Sequence, residues 1–347
     1  MDASKKRILY FDLLNLMACF AVVVLHVNIA YWSFRSAPSW VLNTFLFASF
    51  YWAVPVFYML TGAKLLASFR WGNLRGYLKK RFLRGVLPFI AWSVIGLAFG
   101  LYVTGYIPSD ESFSYYLGLI VSTSMPTESI LWFMVPLFSI YLAIPLLAFV
   151  PENVRPRVYA YLLVVYFAID FLNQLFRTLG AFPNGDFVWP LGTAWFVYPV
   201  LGYLIAHCEF DKRQRWLVYF LGAVSWGLIF VGTLAMSFHA GSLVRFASDG
   251  IGLPSVSMAS AVFLAVREWS ECHPAQLNRM GGMLRGGVRL TFGVYLTHMF
   301  VLTLLVRIAD IQEASWWWGI FGIPVVFSLS MALSALLNRI PVLRRIV

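Results

Sequence analysis

The stretch RILYFDLLNLMACFAVVVLHVN, residues 7–28, decides the fold. As a helix, its apolar run is long enough to cross a hydrocarbon core of about 30 Å. It nevertheless carries Asp12, Asn15 and His26, each costly in lipid. Asn15 precedes His26 by eleven residues, close to three helical turns, so the two share a face about 16 Å apart along the axis. Asp12, three residues before Asn15, falls near the same face. One stripe is therefore polar from one end of the span to near the other. Groups of this kind face a cavity or a partner rather than lipid. The span reads either as the wall of a reaction path or as a helix with a frayed end and hydrogen-bonded neighbours.

Composition settles the class. Of 347 residues 61% are hydrophobic and only 12% are charged, too few charges for a soluble domain. The apolar segments are continuous rather than alternating, which favours helices over a barrel. Apolar windows and breakers predict an all-α integral membrane bundle of about ten transmembrane helices, near 9–29, 40–67, 83–104, 130–150, 157–175, 193–207, 216–236, 251–267, 290–308 and 316–337. The sixth is the shortest. Neither an obvious internal repeat nor a low-complexity tract interrupts them. The longest connections are about 20 to 25 residues, so residues 1–347 are expected to form a single transmembrane domain with no appended soluble domain. Lys5, Lys6 and Arg7 precede an apolar run with no small-residue cleavage site, the pattern of an uncleaved anchor.

The net charge of +11 is a topology signal, not a nucleic-acid footprint. Alternate connections hold 21 of the 26 Lys and Arg residues, the other set holds Arg35, Arg177, Arg245 and Arg307, and Lys64 lies inside the second span. The positive-inside rule then places both termini in the cytosol. Cys19, Cys208 and Cys272 need no pairing, and no Cys/His spacing points to a metal.

Several polar residues fit chemistry as well as plainer roles. A neutral imidazole at His26 is suited to take a proton from a hydroxyl, although a histidine near a span end also serves as an interfacial hydrogen-bonder. Lys64 lies about as deep as Asn15 and either snorkels to headgroups or supplies charge to the interior. Arg75, Lys79, Lys80, Arg81 and Arg84 form a cluster that either anchors the chain on anionic lipid or grips the phosphates of a cytosolic donor. Trp132 fits an interfacial belt, as does the Trp316–Trp318 run. His298, near mid-membrane with Tyr295 one turn earlier, needs a partner there, most simply a hydrogen bond to a neighbouring helix. Asp170, inside the fifth span, either orients an imidazole or satisfies a neighbouring helix.

The order of the segments resembles the membrane-bound acyltransferase-3 family, and nearest within it the stand-alone O-acetyltransferases of enterobacterial common antigen type. YFDLLNLMACFAVVVLH resembles the first-helix signature, and VPVFYMLTGAKLL the aromatic-rich Ser-Gly turn, with Thr61 in the Ser position. KKRFLRGVLPFIAW is similar to the basic loop and Pro-containing third span, and ILWFMVPLFSIYLAIPLL to the Leu-Trp-Phe segment. PLGTAWFVYPVLGYLIA resembles the Gly-Tyr span and TFGVYLTHMF the Tyr-Leu-x-His segment. The resemblance implies a multi-pass protein of a bacterial cytoplasmic membrane. It implies a cytosolic acyl-CoA co-substrate (acetyl-CoA first, with no bound cofactor) and transfer of the acyl group to a hydroxyl of a cell-envelope polysaccharide or lipid-linked glycan.

On the same resemblance His26 falls on the essential histidine, as general base or brief acyl carrier, with Asp12 beside it in the catalytic set. Asn15, Lys64 and the basic cluster would hold the donor. Thr61, Trp132, Tyr295, His298 and Asp170 would line the lumen and the acceptor site. Two departures stand out. Asn15 occupies the position of the family's arginine, and Ile130 stands where the family often has a histidine. A neutral amide cannot hold phosphate as a guanidinium does, which makes Lys64 the candidate replacement charge. The rival readings are a transporter or flippase for a lipid-linked glycan and a catalytically inactive assembly partner.

Overall fold

The computed structural model describes residues 7–125, 129–180, 194–248 and 250–347. Lys5, Lys6 and residues 190–193 of the Gly-Tyr segment lie outside the described residues. Among the described residues all regular structure is helical. The elements are α1 (Leu9–Val27), α2 (Pro38–Phe50), α3 (Ala53–Ser68), α4 (Leu74–Arg81), α5 (Leu87–Phe99), α6 (Phe113–Ser122), α7 (Met134–Ala148), α8 (Arg155–Thr178), α9 (Val197–His207), α10 (Lys212–Gly227), α11 (Thr233–Ala240), α12 (Leu253–Cys272), α13 (Pro274–Val288), α14 (Thr291–Ile308) and α15 (Trp316–Leu337).

Among the described residues, seven helical stretches are long and apolar enough to cross a membrane: Leu9–Val27, Pro38–Ser68, Trp71–Thr104, Ile130–Ala148, Lys212–Ala240, Thr291–Ile308 and Trp316–Leu337. They match seven of the ten expected spans. The other three expected spans are also helical, in α8, in Ala194–His207 and in α12. Ala194–His207 reaches only about 21 Å, short of the hydrocarbon thickness. Along α12, Ser255, Ser257 and Ser260 are buried within the bundle, so the helix is apolar on less of its surface.

The basic segment expected as a loop before the third span is itself helical. A turn of π-helix at Phe82–Val86 fuses α4 to α5, and a second at Gly100–Thr104 extends α5, giving the 34-residue stretch Trp71–Thr104. At 1.5 Å per residue it runs about 51 Å, longer than the hydrocarbon core is thick. α13 is a second departure, a helix inside a connection expected to be irregular. Leu277, Gly281 and Leu284 are buried on one face of it, which packs against α1.

α1 is the hub. It packs against α2, α3, α12, α13, α14 and α15, and Leu14, Ala18, Ala21, Val23, Val24 and Val27 are almost wholly buried. That explains how a span with three polar residues folds, since most of its surface meets protein rather than lipid. α3 and α9 cross at backbone contact. A Cβ on Gly62 would lie 2.0 Å from the Pro199 carbonyl oxygen, and one on Gly202 would lie 1.9 Å from that of Met59. Small residues permit this approach where water supplies no hydrophobic drive between helices.

Two arginines expected only as topology signals tie helix ends together. Arg155 is buried and donates to the carbonyls of Leu66, Ala148 and Val150, joining α3 and α7 to the start of α8. Arg267 donates to the carbonyls of Ile205 and Cys208 and pairs with Glu209 and Glu271. Each satisfies last-turn carbonyls that a helix cannot pair within itself.

Candidate active site

His26 and His298 meet inside the bundle. His298 Nε2 lies 3.2 Å from His26 Nδ1, with ring centroids 4.9 Å apart. His26 Nδ1 also lies 2.8 Å from the Val22 carbonyl, and His298 Nδ1 lies 3.0 Å from the Val294 carbonyl. A carbonyl oxygen only accepts, so each Nδ1 carries a hydrogen. Neutral His298 therefore offers an Nε2 lone pair to His26, whose Nδ1–H is shared between Val22 and His298. That assignment leaves His26 Nε2 unprotonated, the form that accepts a proton. His298 is wholly buried, whereas His26 is partly open and lines a cavity.

This cavity, of about 420 Å³, is walled by aromatic rings: Trp32, Phe47, Tyr51, Trp132, Phe133, Trp195 and Tyr295. Arg245 lines it too, with its guanidinium 5.0 Å from the Trp32 ring centroid. Trp132, read from sequence as an interfacial residue or an acceptor-site residue, lies on the wall of the histidine's cavity.

A second cavity, of about 250 Å³, holds the cations. Asn15, Thr61, Lys64, Arg81, Arg84, Tyr141, Thr291 and Tyr295 are among its lining residues. The Lys64 ammonium lies 5.5 Å from the Phe11 ring centroid, within cation–π range. Arg81 sits 5.3 Å from the centroid of Tyr141 and 5.5 Å from that of Tyr77. Asn15 accepts a hydrogen bond from the Thr291 hydroxyl at 2.8 Å. Thr61 donates to the Phe57 carbonyl at 2.9 Å. Lys64 thus shares a cavity with Asn15, as a replacement charge requires.

The structure divides the remaining expected residues. Helical periodicity splits the basic cluster: Arg81 and Arg84 face the second cavity, while Arg75 and Lys79 line a shallow external groove with Leu74, Leu78 and Phe82. Lys80 lines none of these. Asp12 is buried against Arg7, its ion-pair partner, fourteen residues before His26 on the same helix. The structure does not bring it to the imidazole. Asp170 lies in α8 and lines neither cavity.

Sequence reasoning did not single out Phe133, Trp195 or Arg245. Phe133 stands in the quoted Leu-Trp-Phe segment, and Arg245 was visible as one of few basic residues in its charge-poor set of connections. Trp195 carried no separate signal.

A family model described as an acyltransferase domain, Acyl_transf_3, matches residues 8–335. The chain belongs to the acyltransferase-3 family. The match spans nearly the whole sequence and covers both cavities, supporting a membrane acyltransferase in general. The enterobacterial common antigen subgroup is not distinguished by it. No curated protein and no solved structure gives a significant match.

Proposed function

We propose that this acyltransferase moves an acyl group from a cytosolic acyl-CoA to a hydroxyl of a cell-envelope polysaccharide or lipid-linked glycan. The carrying observation is the placement of an imidazole and a cation cluster in two cavities that adjoin at the same pair of residues. Lys64, Arg81 and Arg84 are chemically suited to the phosphates of the donor, since Lys and Arg make charge-assisted hydrogen bonds to phosphate oxygens. The aromatic cavity suits a sugar, whose C–H faces stack on indole and phenol rings while a few polar groups fix its orientation.

His26 acts as general base in this reading. Nε2 takes the acceptor's hydroxyl proton as the oxygen attacks the thioester carbonyl carbon, and the imidazolium then protonates the departing thiolate. The Val22 carbonyl and His298 both accept from Nδ1–H; the carbonyl favours the productive tautomer, and His298 stabilises the imidazolium once His26 has taken up the proton. The acyl donor needs no metal or bound cofactor for this sequence of steps. Asn15, bonded to Thr291, positions the cavity wall, and Lys64 supplies the charge that Asn15 lacks. Both termini and the cation cavity lie on the cytosolic side of a bacterial inner membrane, by the bias of the connecting charges.

Inside-out vesicles from cells expressing the chain expose the cytosolic side to added reagents. Labelled acetyl-CoA is expected to label the glycan fraction with the native chain and not with His26→Ala. Glycan translocation without label transfer would instead match a transporter. Equal labelling by His26→Ala would remove the base from the scheme.

A further inference from the structure

Among the described residues, Phe133 and Tyr295 alone line both cavities. Phe133 ends the short helical turn Ser129–Phe133 before α7, and Tyr295 lies in α14. Their ring centroids are 5.4 Å apart at an interplanar angle of 59°. Neither ring is loose. The Tyr295 hydroxyl donates to the Ile130 carbonyl. Phe133 stacks on Tyr58 with centroids 4.8 Å apart and planes 11° from parallel. The Tyr58 hydroxyl donates to the Phe133 carbonyl at 2.9 Å, and Tyr58 itself is wholly buried. The two rings form a partition pinned from α3, α14 and the turn before α7.

His26 lines only one side of that partition, and Lys64, Arg81 and Arg84 line only the other. We infer that Phe133 and Tyr295 set the size of the acyl group, admitting acetyl and discriminating against longer chains. The inference rests on the acyltransferase reading and adds the determinant of donor choice. In the transfer the acceptor oxygen bonds to the carbonyl carbon while its proton passes to His26. The C–S bond breaks, and the thiolate takes the proton back from the imidazolium. The sulfur and its long arm stay on the cation side, the acceptor oxygen on the histidine side. The carbonyl carbon therefore lies at the partition, and the acyl tail has to be housed there too. Acetyl brings one methyl group. An added methylene lodged between the two rings meets side chains that are held by a hydrogen bond or a stack. A tight apolar site discriminates by about 10- to 200-fold per methylene.

The test uses inside-out vesicles carrying the full-length chain and the cells' own glycan acceptors, fed equal mixtures of acetyl-, propionyl- and butyryl-CoA. Transferred groups are resolved by mass, with vesicles lacking the chain as blank. The native chain is expected to transfer acetyl at least about tenfold faster than propionyl, with butyryl slower still. Phe133→Ala is expected to raise the propionyl-to-acetyl ratio about tenfold. Phe133→Leu keeps apolar packing against Tyr58 if the alanine variant folds poorly, and is expected to raise the ratio by a smaller factor. Equal use of the three thioesters by the native chain overturns the inference, as does an unchanged ratio in both variants; either result leaves the acyltransferase reading standing. Absence of transfer from every thioester overturns that reading and the inference with it.

Discussion

Replacing His298 tests the site at its best-defined contact. His298→Ala removes the Nε2 acceptor 3.2 Å from His26 Nδ1 but leaves the Val22 carbonyl at 2.8 Å. The tautomer is then still favoured, and the loss falls mainly on the state in which His26 has taken up a proton. A hydrogen bond from a charged donor contributes about 1.5–3 kcal/mol. At about 1.4 kcal/mol per tenfold in rate, kcat should fall by roughly 10- to 150-fold. His298→Gln places an amide oxygen near the lost nitrogen and should recover most of that loss. The assay is single-turnover transfer in vesicles at saturating acyl-CoA, normalised to folded protein. KM for the donor should be unchanged, because His298 does not line the cation cavity. A purely structural His298 would lower the yield of folded protein and spare kcat per molecule. Native kcat in His298→Ala, or no difference between the alanine and glutamine variants, would refute the assignment.

Further outcomes follow from the cavity lining and the packing. Lys64→Ala, Arg81→Ala and Arg84→Ala should each raise KM for acyl-CoA by about tenfold or more, a lost charge-assisted hydrogen bond. Arg75→Ala and Lys79→Ala should change it by less than about twofold, since exposed charges outside the cavity contribute little. Lys64→Arg should keep part of the activity, and normal transfer by Lys64→Ala would exclude it as the replacement charge. Gly202→Ala puts a Cβ 1.9 Å from the Met59 carbonyl oxygen, so α3 and α9 must separate, and a loss of about 1–3 kcal/mol or more should appear as a lower melting temperature in detergent. Asp12→Asn should cost about 1 kcal/mol of stability, because Arg7 remains partly solvated. It should leave kcat per folded molecule unchanged; a large fall in kcat would restore Asp12 to the catalytic set.

What sequence could reveal here was local. The polar stripe of α1, the depth of Lys64 and the positions of most spans follow from helical period and hydropathy. The division of that stripe does not. Asn15 and His26 share a helix face, yet they line different cavities because Phe133 and Tyr295, far away in sequence, stand between them. His298 looked structural because its partner lies 272 residues away. The basic cluster read as a loop since its charges masked a helix continuous with the third span. Once it is helical, Arg81 and Arg84 separate from Arg75 and Lys79 by the period itself. α13 did carry a signal, in Leu277, Gly281 and Leu284 at i, i+4 and i+7. It was obscured by five glycine and proline residues that usually mark irregular chain.

In the proposed reaction His26 is the general base for acyl transfer from acyl-CoA to an envelope glycan. Mass analysis of glycans from intact cells expressing the native chain or His26→Ala at equal levels tests this role most directly. The account predicts glycan species heavier by one acyl group with the native chain and their absence with His26→Ala. The same acyl increment in both would contradict it.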